Sequence, residues 1–175
     1  MPNLKYEHAL GLVTRHFQML ELYLSIFAWG LMGKDQRIGQ AITAQMSFSK
    51  LLVLVSTLLG SKTKNRQIIS RFKAIARQAA SAEQRRNRIV HSAYLQFSAD
   101  PAAKLIRYKV TSKLEKGLVI HWEATSFEDV MDVGVEILQA AELLAQLIGQ
   151  TREKLGIDYT GFEKEADDED VDIPF

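Results

Sequence analysis

Glu83-Gln84-Arg85-Arg86-Asn87-Arg88-Ile89-Val90-His91-Ser92-Ala93-Tyr94 is the stretch on which the reading of this chain turns. It reads as helix, because the apolar residues leading into it follow a helical line: Ile68, Phe72, Ile75, Ala79, Ala82, then Ile89 and Ala93. The steps alternate between 4 and 3 until a gap of 7 opens between Ala82 and Ile89. Such alternation marks a helix buried along one seam. Arg86 is the residue that belongs in the gap. A guanidinium on a buried seam loses hydration unless an anion meets it. A local rule broken inside a regular pattern marks the place to look for function.

The neighbours narrow the search. Asn87 and His91 are four apart and so share a helix face, which Tyr94, three further on, would join. Arg86 precedes His91 by five positions, about 140° around a helix. One helix therefore cannot bring Arg86 and His91 together by local geometry, whereas two such helices about a twofold axis could. Arg85 and Arg88 flank the group and are candidates for holding an anionic substrate, with Tyr94 as a stacking or interface residue.

Arg86-Asn87-x-x-x-His91 resembles the R-x4-6-H motif of the HEPN superfamily, in which a polar residue, often Asn, follows the Arg. The resemblance covers a few residues of the chain. It implies a helical-bundle domain, commonly a homodimer, of a kind found as metal-independent ribonucleases in toxins and in RNA-processing and defence systems. It also implies roles: His91 moving the 2′-hydroxyl proton of RNA, Arg86 stabilising charge on the phosphate in the transition state, and Asn87 orienting the phosphate or His91. Other members of the superfamily are catalytically inactive and bind a nucleotide, RNA or a partner protein. Some toxins of this type carry a Tyr two residues after the His, modified by a cognate antitoxin. Here Tyr94 stands three after His91, which departs from that pattern.

The rest of the chain bounds these readings. A length of 175 residues suits one domain with a sizeable core, and the absence of cysteine excludes disulfides and thiolate metal sites. The start lacks the basic-then-apolar layout of a signal segment, and the most apolar run, Leu22 to Met32, is too short for a bilayer. A cytoplasmic protein without a membrane span is expected. The formal net charge is +1, but it is unevenly spread. Lys62, Lys64, Arg66, Arg71, Lys73 and Arg77 precede Arg85, Arg86 and Arg88, with Glu83 the lone acid among them. Such a basic helix suits a polyanion such as RNA, or is simply a solvated face. Residues 163–175 are rich in Asp and Glu and lack apolar periodicity, so an acidic tail without fixed structure is expected after a bundle domain at 1–162.

Four main helices are expected. The first runs from about Asn3 or Leu4 to Leu31 along Leu10, Val13, Phe17, Leu20, Leu24, Phe27 and Leu31. Its off-line apolar residues, Leu22, Tyr23 and Trp29 among them, suggest a helix at the bundle centre or under a partner subunit. Between Asp35 and Met46 a short helix is conceivable, weakened by Gly39. The second main helix spans about Ser47 to Leu59. The third runs from about Thr63 to Phe97, stopped by Asp100-Pro101. Ile106, Tyr108 and Val110, then Leu118, Ile120 and Trp122, alternate with polar residues and read as a β-hairpin. Ile106, Tyr108, Leu118 and Trp122 are expected to lay it on the bundle. The fourth helix starts at Ser126, where Ser126 and Asp129 resemble a capping box. The fold class expected is thus all-α: an antiparallel bundle of four main helices with a β-hairpin before the last.

No cofactor or metal is expected. His8, His16, His91 and His121 form no i,i+3 or i,i+4 pair, and no phosphate-binding Gly loop or nucleophile elbow occurs. In a purely structural reading, Arg86 pairs with Glu7, Glu21 or Glu136 and His91 is satisfied locally. Three readings stand side by side: a ribonuclease, a dimeric binding module for a nucleotide, RNA, an antitoxin or another protein, and a scaffold bundle with no ligand.

Overall fold

The computed structural model describes residues 4–33, 36–95, 105–113 and 117–157. Among them are five α-helices and three strands: α1 (Leu4–Met32), α2 (Gln36–Thr43), α3 (Phe48–Lys62), α4 (Arg66–Val90), β1 (Ala93–Leu95), β2 (Leu105–Lys113), β3 (Gly117–Thr125) and α5 (Phe127–Leu155). The expected four-helix bundle with a simple hairpin is corrected on two counts. The segment after α1 forms a full helix, α2, and the hairpin gains a strand to become an antiparallel sheet in the order β1-β2-β3.

α1 is the central element and touches each of the other four helices, most extensively α5. Val13, Phe17, Leu20, Leu24, Phe27 and Leu31 are all buried, so the seam faces the core. α5 answers with Val130, Val133, Ile137, Ala140, Leu144 and Leu147. α5 starts with a true capping box: Ser126 Oγ accepts from the Asp129 N–H, and the Asp129 side chain accepts from the Ser126 N–H. Gly156, at φ 61°, closes its far end in the left-handed conformation. Gly39 has a packing role in α2: a Cβ there would lie 2.8 Å from Cδ1 of Trp29, whose indole Nε1 donates to Thr43 Oγ1 at 2.8 Å.

α4 ends at Val90, not near Phe97, and Tyr94 lies in β1 rather than on a helix face. The chain turns because the last carbonyls of α4 find partners on the sheet. Tyr94 Oη donates to the Ile89 carbonyl at 2.9 Å, Arg107 Nη1 to that of Arg88 at 2.8 Å, and Lys109 Nζ to that of Asn87 at 3.1 Å. Helix C-termini leave such carbonyls without intrahelical partners and favour cations beside them.

These bonds also fix which face of the sheet meets the helices. In the register Arg107↔Glu123 and Lys109↔His121, the polar residues share one face, and that face is turned to the end of α4. Beside the bundle, Leu105 and Thr125 are buried, and Tyr6 Oη donates to the Thr125 carbonyl at 3.1 Å. The apolar face points the other way. Leu118 is 75% exposed, Trp122 57%, Ile120 52% and Val110 44%. The expectation that Leu118 and Trp122 anchor the sheet to the bundle is therefore overturned. Hydrogen-bonded capping of α4 decides the orientation, against the hydrophobic pattern. The expected stop at Asp100-Pro101 and the acidic tail at 163–175 lie outside the described residues. No described helix is long and apolar enough to cross a membrane.

Candidate functional site at the end of α4

Arg86 enters the bundle from α4, between the buried Ala82 and Ile89. It is half-buried, and its Cζ lies 4.7 Å from the centroid of the Phe17 ring on α1. A guanidinium over an aromatic face is held by the ring's negative quadrupole. Its Nη1 donates to Asn87 Oδ1 at 2.9 Å, while Nε is buried with no hydrogen-bond partner among the described residues. Orphaned buried donors are rare in folded proteins.

Two carboxylates share this environment, Glu21 on α1 and Glu83 on α4. Burial raises the pKa of each, opposed in both by the positive charge of Arg86, and at Glu21 reinforced by Glu83. A carboxyl whose folded pKa is raised contributes stability below the ordinary glutamate value. That contribution is lost as pH rises through the folded pKa. The cluster should therefore favour the fold more at mildly acidic than at neutral pH. An NMR titration should give Glu21 a midpoint above the ordinary glutamate value. Arg86→Gln should move it higher still, since the opposing charge is gone. A midpoint unchanged by Arg86→Gln would mean that the two groups do not interact.

The other candidates disperse around the helix. Arg85 forms an ion pair with Glu136 on α5, so Glu136 serves Arg85 and not Arg86. Asn87 is half-buried, held through its side chain by Arg86 and through its carbonyl by Lys109. His91 is exposed and caps α4, its backbone N–H donating to the Ile89 carbonyl. Its ring makes no hydrogen bond to a described residue. Tyr94 is half-buried with its hydroxyl committed to Ile89. Burial pushes the Tyr94 phenol up to about 12, against the pull of Arg107 and with a further push from Tyr6. Tyr94 is thus a protonated donor that closes the helix end.

Within one chain, then, the fold brings Arg86 and Asn87 together and leaves His91 at the surface. Arg88 lies on a different feature, an open hollow of about 670 Å³ beside the polar face of the sheet. Arg107, Lys109, His121, Trp122 and Glu123 help to line it. Arg107 is paired with Glu123 across the β2–β3 register. The sheet residues were not among the sequence candidates. The signal that points to them is Arg107 and Lys109 alternating on one strand face, followed by His121 opposite Lys109. Among the described residues, no group of three or more His, Asp or Glu is placed to hold a metal ion. No protein-family model, no curated protein and no solved structure matches this chain.

Proposed function

We propose that this chain is an endoribonuclease of HEPN type that cuts RNA without a metal and works as a homodimer. The observation that supports this most is Arg86. A permanent cation is held half-buried in the bundle, oriented by Asn87, with a buried N–H left over. A charge so placed is expensive to keep and is the kind of group that stabilises a developing anion. In the reaction, the 2′-oxygen of RNA bonds to the adjacent phosphorus and the bond from phosphorus to the 5′-oxygen breaks. His91 takes the 2′-hydroxyl proton, and an acid protonates the leaving 5′-oxygen. The partner's copy of the same histidine can serve as that acid. The products are a 2′,3′-cyclic phosphate and a 5′-hydroxyl.

Incubation of the purified protein with assorted RNAs in EDTA should give fragments with those ends. Sedimentation at micromolar concentration should give the mass of a dimer. A monomer across that range would remove the composite site, because one chain does not bring Arg86 and His91 together.

A second reading is favoured by one observation: Arg86 is engaged by Phe17 and Asn87 while His91 faces solvent. In that reading the same dimer is a binding module for RNA, a nucleotide or a partner protein such as an antitoxin. RNA binding without products in EDTA would favour it over the nuclease.

A further inference from the structure

The face of the sheet turned away from α4 is apolar and open. By the strand register it carries Leu95 of β1, Tyr108 and Val110 of β2, and Leu118, Ile120 and Trp122 of β3. All but Tyr108 are exposed, and no charged side chain of a described residue stands among them. At about 150–250 Å² for a large side chain left wholly open, the exposed fractions come to on the order of 500 Å² per copy. A contiguous apolar patch of that size is commonly a contact surface. Tyr108 and Trp122 pack their rings 4.6 Å apart within it, and aromatic residues of this kind anchor interfaces.

We propose that this face docks on the same face of a second copy of the chain, sheet against sheet about a twofold axis. The occupant follows from what the face lacks. With no charge on it, two copies meet without like-charge repulsion, which makes the surface chemically complementary to itself. RNA and membrane surfaces are met by cations, and Arg107 and Lys109 are turned the other way, to the α4 carbonyls. The acidic stretch 163–175 would likewise find no cation there. Two sheets packed face to face stand about 10 Å apart and interdigitate their side chains. Two such faces remove on the order of 1,000 Å² from water, the low end of specific interfaces, so the contact forms above the micromolar range. It is separate from a contact that would join Arg86 to the partner's His91, because α4 ends against the opposite face. The inference therefore goes beyond the reading above, and either can fail alone.

Sedimentation equilibrium from about 5 to about 500 µM tests it, and the mass should at least double between those limits. Tryptophan emission should shift to the blue over the same range, as the Trp122 indole leaves water while Trp29 stays bonded to Thr43. Leu118→Lys combined with Ile120→Lys puts cations on the face, where they meet those of the second copy. This double variant should keep its micromolar mass across the range and show no shift. Both side chains are exposed, so circular dichroism and melting should match the parent. Leu118→Lys alone, at the most exposed position, gives the same reading if the pair of changes melts early. A parent whose mass does not rise, or a variant whose mass rises as the parent's does, would overturn the proposal. So would binding of the parent to anionic vesicles, lost in the variant, with no rise in mass, which would make the face a membrane contact. RNA cleavage in EDTA is read separately at micromolar concentration, and its absence removes the nuclease while a rise in mass keeps this contact standing.

Discussion

His91→Ala should abolish RNA cleavage in EDTA, lowering the rate by about 10²–10⁴-fold, the usual contribution of a positioned acid or base. The fold should hardly notice. His91 is exposed, sits at the cap of α4 and contributes a backbone N–H to Ile89 that alanine also has. Such surface changes fall within about 0.5 kcal/mol. Helicity, melting temperature and dimer mass should therefore match the parent, and a gel of labelled RNA reads the loss directly. Full activity in His91→Ala, or cleavage of DNA at a comparable rate, would rule the mechanism out. Arg86→Ala should also stop cleavage, because the charge that would stabilise the developing anion on the phosphate is gone. It leaves Glu21 and Glu83 without the charge that opposes their raised pKa values, so both protonate more readily.

Phe17→Ala should have the largest effect on stability, about 3–5 kcal/mol. Phe17 is 3% exposed and packs its ring 4.9 Å from that of Phe48 while carrying the Arg86 guanidinium. Truncation leaves a cavity between α1 and α3 and removes the ring under a half-buried cation. At about 2–4 °C per kcal/mol for a chain of this size, the melting temperature should drop by roughly 10 °C. Phe17→Leu separates the two losses. It keeps most of the volume and removes the cation–π contact, so it should cost about 1–2 kcal/mol. If Phe17→Leu melts as low as Phe17→Ala, the ring's face matters more than its bulk. If Phe17→Ala melts like the parent, Phe17 is not the floor of the Arg86 site.

The helices were legible because their seams are long. Six of the seven residues read along α1 are buried, and the capping box at Ser126 is formed as its sequence suggests. The gap at Arg86 was legible for the same reason: a regular line makes an exception visible. β1 was not. Ile89 and Ala93 continue a helical step of four, and a strand of three residues is too short to show its own alternation. It is a strand because Ala93, Tyr94 and Leu95 pair antiparallel with Tyr108, Arg107 and Ile106 of β2, a partner that no local pattern encodes. The orientation of the sheet was missed on the same ground. By their alternation Ile106, Tyr108, Leu118 and Trp122 read as the buried side, whereas charged side chains from the opposite face cap the helix. α2 was obscured by Gly39, which looks like a helix breaker until Trp29 is seen to need its space.

The three side chains that close α4 have a mechanical meaning. They tie three consecutive carbonyls of the last helical turn to β1 and β2, so the turn cannot unwind while the sheet stays in place. The two therefore open as a single cooperative unit rather than as a fraying end and a separate flap. Amide hydrogens of the β2–β3 ladder and of residues 87–90 should exchange with deuterium together, at one rate. Anything that grips the sheet then stiffens the backbone on which Asn87 and His91 are mounted.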